Sequence, residues 1–238
     1  DYVAAEPLYR LRHLLKPGDL VGTAVTITVD APAPYVSRGG HKLAAALDAF
    51  EIDPAGLTAL DVGASTGGFS DVLLQRGARH VYALDVGRGQ LAESLRRDDR
   101  ISSMERTNAR DLDATTLPEP IDLAVIDVSF ISLTKVLAPV RSTMAPGGQI
   151  VALVKPQFEV GKGRTDHGVV RDPAAHAEVL ARIVGEAAAC GVGTRAVIAS
   201  PILGPEGNRE FLVHLAPGPS CAEIGDRISE ATGLPTEG

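Results

Sequence analysis

The sequence predicts an α/β fold: a mostly parallel, seven-stranded sheet with helices on both faces and an antiparallel last strand. Three observations carry this. Between Leu57 and Gln75 a short apolar run breaks into Gly63-Ala64-Ser65-Thr66-Gly67-Gly68 and resumes at helical spacing, the pattern of strand, loop and helix. From there to Lys155 apolar strands alternate with helical stretches of roughly 8 to 14 residues, as in a parallel sheet covered on both sides. The last two strands are joined by the turn-rich Gly204-Pro205-Glu206-Gly207-Asn208, a connection so short that it favours antiparallel pairing.

Residues 1–35 lack these repeated units. Tyr9 to Leu15 reads as a short basic helix, and after the Lys16-Pro17-Gly18-Asp19 turn the alternation of Ala24 to Val29 reads as a strand. Asp30-Ala31-Pro32-Ala33-Pro34 is a stiff linker. The chain is thus expected to divide into a small element over 1–30, a linker over 31–36 and a main domain over 37–238.

The main domain opens with Val36-Ser37-Arg38-Gly39-Gly40-His41-Lys42, a basic turn ahead of a helix marked by Leu43, Ala46, Leu47 and Phe50. Such a turn can cradle phosphates or be a solvated helix start, and spacing leaves both readings open. Strands are predicted over 57–62, 81–86, 101–105, 121–128 and 149–155. Between them fall helices over 68–75, 90–97 and 133–144, the last stopped by Pro146-Gly147-Gly148. Asp172 as N-cap, Pro173 in the first turn and Gly191 beyond the end delimit the next helix. Strands over 194–200 and 210–215 and a short helix over 221–232 complete the chain.

Composition narrows the function. A formal charge of −7 and a pI near 5.4 argue against nucleic-acid binding by net charge and leave only local basic patches for it. Cys190 and Cys221 fit no C-x-x-C pattern, so they read as structural thiols in a reducing cytoplasm, and no metal site is expected. No apolar run approaches the ~18 residues of a membrane span and no signal peptide opens the chain, so export and insertion are not expected.

Three signatures compete for the glycine turn. A dinucleotide fingerprint needs glycine where Ser65 stands in the series Gly63, Ser65, Gly68, which disfavours NAD. Gly63-Ala64-Ser65-Thr66-Gly67 also matches a nucleophile elbow, with His167, His176 and His214 downstream as formal partners. Against this, the turn follows the first strand of the sheet and no oxyanion-donating loop precedes it. The third reading is S-adenosylmethionine, whose ribose needs an acceptor at the next strand end, where Asp85 stands about twenty residues on. Lacking a pyrophosphate, that ligand tolerates Ser65.

Ligands of open parallel sheets bind at the carboxyl ends of strands, and Asp85, Asp127 and Lys155 end three of them beside this turn. Methyl transfer to a hydroxyl requires removal of its proton. A lysine with a lowered pKa can act as base and a carboxylate can position it, which suits Lys155 and Asp127. Lys42 could add a second cation and Glu210 a second carboxylate, although spacing alone favours surface charge for both.

Six blocks, namely 36–43, 61–69, 105–110, 127–133, 154–161 and 204–210, together resemble the TlyA family, ribosomal RNA 2′-O-methyltransferases with an FtsJ-like catalytic domain that were long labelled hemolysins. The resemblance spans about 36–216. It implies a Rossmann-like class I S-adenosylmethionine-dependent methyltransferase, methylation of cytidine 2′-hydroxyls in both ribosomal RNAs, and a catalytic set at Lys42, Asp127, Lys155 and Glu210. It also implies cofactor contacts from Asp61, Gly63, Ala64, Ser65, Gly67, Gly68, Phe69, Asp85, Val86, Asn108 and Asp127. Family members carry an N-terminal S4 RNA-binding domain, whose final segment Lys16 to Val29 resembles. A rim of Arg38, His41, Arg88, Lys162, Arg164, Arg171 and Arg209 is expected to meet RNA phosphates. A membrane-active cytolysin, a non-catalytic ribosome-binding module and a small-molecule methyltransferase are the alternatives.

Overall fold

Period-two alternation of apolar side chains organises the sheet seen in the computed structural model. It describes Tyr2–Val3, Leu20–Val21 and residues 33–161 and 163–235. Contacts separate Asp1–Pro34 from Tyr35–Gly238. In the first unit β1 (Tyr2–Val3) pairs antiparallel with β2 (Leu20–Val21). The helix expected over 9–15 and most of the strand-bearing stretch after it lie outside the described residues.

The second unit runs α1 (Gly39–Ala49), β3 (Thr58–Val62), α2 (Gly68–Gln75), β4 (His80–Leu84), α3 (Glu93–Arg96), β5 (Ile101–Met104), β6 (Ile121–Ile126), α4 (Thr134–Ser142), β7 (Met144–Val154), α5 (Pro156–Glu159), α6 (Pro173–Ala189), β8 (Val192–Ala199), β9 (Phe211–Pro217) and α7 (Ile224–Thr232). The seven strands lie in the order β5-β4-β3-β6-β7-β9-β8. All neighbours are parallel except β9, which slots between β7 and β8 and opposes both. The chain begins in the middle, at β3, winds outward to β5 and returns to β6, so the order reverses between β3 and β6.

Leu60, Val62, Ile126, Ile150, Ala152 and Val213 face the helices α4, α6 and α7 through Leu137, Leu180 and Ile228. Their neighbours Ala59, Val125, Val151, Leu153 and Leu212 face α1 and α2 through Leu43, Leu47, Val72 and Leu73. Every residue of β3 is buried, as expected of a strand covered on both faces.

Several boundaries differ from expectation for local reasons. The basic turn is already helical at Gly39, so His41 and Lys42 belong to the first turn of α1; Gly40 allows this, because a Cβ there would lie 2.5 Å from Tyr35. The helix expected over 90–97 shrinks to α3, since Ala92 is extended and its amide is drawn to the Thr66 carbonyl. Pro146-Gly147-Gly148 does not stop a helix. It lies within β7, where the register to β6 slips between Ile121 and Leu123, and α4 has already ended at Ser142. The α6 signals hold as placed: Asp172 Oδ1 accepts from the Ala174 amide, Pro173 opens the helix, and Gly191 follows at φ +78°.

Candidate active site

The turn after β3 has its shape fixed by close approach. Gly63 has φ +87°, and a Cβ on it would stand 2.6 Å from the Asp127 carbonyl oxygen. Only glycine lets the ends of β3 and β6 meet this way. The Gly63 and Ala64 amides donate to the Leu84 carbonyl, and Ser65, itself at φ +48°, donates its amide to Asp85 Oδ2 at 2.8 Å. Asp85 Oδ1 accepts the Gly87 amide at 2.7 Å. Asp85 thus braces two loops and keeps lone pairs for a ligand.

Under the turn, Asp61 is fully buried and accepts from the Ser70 amide (2.9 Å) and hydroxyl (2.7 Å) in the first turn of α2. Burial pushes its carboxyl up to about 7 against the lowering effect of Ser70, and the Asp127 charge adds to the rise. Gly67 is pressed against Leu91 and Leu95, Gly68 against Ser37, and Phe69 sits in the core. Asp61, Gly67, Gly68 and Phe69, expected to touch a cofactor, therefore lie beneath the turn and hold its shape.

Gly63, Ser65, Asp85, Val86, Asn108 and Asp127 do line a cavity of about 850 Å³ at the point where strand order reverses; Ala64 borders only a small void beside it. Asn108 is held by accepting from the Arg110 amide. The size suits a nucleoside-bearing ligand. Asp85 and Asp127 line its wall, as do Arg110 and Lys135, so both signs of charge border the space, and the Asp85 carboxylate beside the turn is placed to accept from a ribose hydroxyl.

Lys155 does not open into this cavity, contrary to the single crevice expected. It lines a second one of about 450 Å³ together with Glu210, Thr165, Glu206 and Asn208, and Ser129, Phe130 and Phe158 border both. Extended backbone before Pro156 aims Lys155 at the partition. There its Nζ pairs with Asp127 Oδ1 at 2.5 Å and donates to Ser129 Oγ at 2.8 Å. Behind the second cavity, Lys42 Nζ meets Glu210 Oε2 at 2.5 Å, with both side chains buried. Surface charge, which spacing favoured for this pair, is ruled out.

The second cavity's walls are clamped. Glu159 accepts from the Leu133 amide (2.7 Å), the Ser132 hydroxyl (2.8 Å) and Arg182 (2.8 Å), binding the loop after β6 to the turn after β7. Asn208 accepts from the Val170 amide and donates to the Gly168 carbonyl, and a Cβ at Gly204 would collide with Glu210 Oε1.

The expected basic rim is placed differently. Arg38, His41, Arg88, Arg171 and Arg209 are exposed but line neither cavity, Arg164 is engaged by both oxygens of Glu178, and Lys162 lies outside the described residues. The cations that border the large cavity are Arg110 and Lys135, which sequence reasoning missed because neither ends a strand. Ser129, Phe130 and Phe158 were missed too. Ser129 and Phe130 lie in a loop and Phe158 in a single helical turn, where no period can show, although Phe130 at φ +63° and 90% exposure is conspicuous once folded. The nucleophile-elbow reading fails, for no histidine borders the Ser65 cavity. His176 bonds the Val170 carbonyl, His214 bonds Gln149 and stacks on Phe50, and His167 projects into solvent.

The sequence model of FtsJ-like methyltransferases matches residues 35–216. The chain is 49% identical over 204 residues to the 16S/23S rRNA (cytidine-2′-O)-methyltransferase TlyA of Mycobacterium tuberculosis, covering 84% of this chain and 76% of the relative. It is 41% identical over 182 residues to hemolysin A of Brachyspira hyodysenteriae, covering 76% of each. A solved structure of a candidate hemolysin from Streptococcus thermophilus superposes with a TM-score of 0.81 at 40% identity, over 92% of this chain and 82% of that one. By this match the chain belongs to the FtsJ-like, S-adenosylmethionine-dependent methyltransferases, among the TlyA proteins.

Proposed function

We propose that this methyltransferase acts on the 2′-hydroxyl of a cytidine in ribosomal RNA, with Lys155 as the base. The observation that carries this is the placement of the Lys155–Asp127 pair on a partition between two cavities, one of a size for the donor and lined by Asp85, the other open to an acceptor. The relatives named for cytidine 2′-O-methylation support the substrate class.

S-adenosylmethionine supplies a methyl group on a positively charged sulfur. Gly63, Ser65, Asp85, Val86, Asn108 and Asp127 would hold it, with Asp61, Ala64, Gly67, Gly68 and Phe69 keeping the turn in shape. When bound, the donor would give that methyl group to the acceptor oxygen and keep the electron pair of its carbon–sulfur bond, and Lys155 would take the hydroxyl proton on its nitrogen. Asp127 orients the amine and, once it is protonated, stabilises the ammonium. Glu210, held by Lys42, presents a second carboxylate to the acceptor cavity. Exposed Arg38, His41, Arg88, Arg171 and Arg209, with Arg110 and Lys135, would meet phosphates.

Incubating purified 30S and 50S subunits with the protein and labelled donor should place new 2′-O-methyl groups on cytidine. Lys155→Ala should abolish transfer and leave donor affinity nearly unchanged. Normal methylation by that variant would remove Lys155 from the reaction. The lytic activity named for some relatives finds no helix among the described residues long and apolar enough to cross a membrane. Dye release from liposomes at low protein concentration would revive it.

A further inference from the structure

The Lys155 nitrogen stands between two acceptors, Asp127 Oδ1 at 2.5 Å and Ser129 Oγ at 2.8 Å. A base must be a neutral amine, with two N–H bonds and one lone pair in tetrahedral directions. The close Asp127 contact occupies one direction about the nitrogen and leaves the lone pair a choice between the other two. A second acceptor removes that freedom. With both N–H bonds engaged, the lone pair has one remaining direction.

Ser129 is suited to this by position. It lies three residues beyond β6 on the wall common to both cavities, so the acceptor it offers stands where donor and acceptor substrates must meet. Its loop is fixed from behind, because Glu159 holds Ser132 and Leu133. Among the described residues the Ser129 hydroxyl makes its hydrogen bond to Lys155. Being itself exposed, it is not a packing residue whose loss would open the core.

We propose that Ser129 is a positioning residue for methyl transfer: by accepting the second N–H of Lys155 it points the lysine lone pair at the acceptor hydroxyl. This rests on Lys155 being the base. After proton transfer the new ammonium has three N–H bonds, two still held by Asp127 and Ser129 and the third directed along the path the proton took.

The test is steady-state methyl transfer to 30S and 50S subunits by Ser129→Ala, Ser129→Thr and Lys155→Ala, with donor affinity and melting temperature measured alongside. Ser129→Ala should lower kcat by about ten- to a hundredfold, the scale on which a misplacement near 1 Å acts. The KM for subunits and the donor affinity should stay within about twofold, because binding does not use the lone pair. Ser129→Thr keeps the hydroxyl and has solvent-side room for its methyl group, so it should recover most of the rate. The inference is overturned if Ser129→Ala turns over at the parental rate while Lys155→Ala is inactive, or if the alanine and threonine variants are equally slow. Parental turnover by Lys155→Ala would instead overturn the base assignment on which the inference stands.

Discussion

Asp61 is a carboxyl group buried beneath the glycine turn, held in place by Ser70. Its Oδ2 organises the start of α2 through Ser70, whereas Oδ1 is buried without a hydrogen-bond partner among the described residues. With its carboxyl pushed up to about 7 from 3.8, the native state holds a proton that the unfolded chain has released throughout that interval. Stability from this group is therefore complete below pH 3.8 and is lost as pH rises through 7, at a cost of order a few kcal/mol. Asp61→Asn cannot ionise, so its melting temperature relative to the parent should climb between pH 5 and pH 8.5. A difference independent of pH would show that Asp61 is charged throughout. The strand-end residues Asp85, Asp127 and Lys155 were legible because a charge ending an apolar strand stands out. Lys42 and Glu210 were not, since their pairing spans 168 positions and no local pattern reports it; family resemblance supplied them.

Among the elements, α5 matters more than its single turn implies. It follows Lys155 directly, and Glu159 at its end fastens the loop that carries Ser129 and Phe130. Glu159→Ala removes the acceptor of three donors at once. About 2–3 kcal/mol of stability should be lost, measurable by urea denaturation, together with a marked fall in methyl transfer. Unchanged stability would mean the loop is held by packing alone. The α6 caps were readable because Asp-Pro and a following glycine act through their own backbone. The Pro146-Gly147-Gly148 bulge was not. Proline and glycine interrupt a helix or a strand equally well, and the pairing of β6 with β7 decided which.

For the molecule as a whole, a net charge of −7 has to be reconciled with the polyanionic substrate proposed for it. Basic residues exposed on one domain can do this locally. Retention on 30S or 50S particles should then fall as salt rises, with each phosphate contact adding roughly −0.7 to −0.9 to the slope of log affinity against log salt. Arg110→Ala, at the border of the donor cavity, should flatten that slope by about one contact. A slope near zero would exclude the phosphate contacts. The sheet was legible almost entire because its strands are apolar and evenly spaced. The two cavities were not, because a void is made by residues that meet only after folding.

The union of Lys42 with Glu210 has a consequence for timing. One partner sits in the first helix of the catalytic unit and the other opens its last strand, so synthesis must pass residue 210 and that strand must insert between β7 and β8 before the pair exists. Until then the chain has every earlier strand of the sheet but neither the Lys42–Glu210 pair nor the wall that Glu210 gives the second cavity.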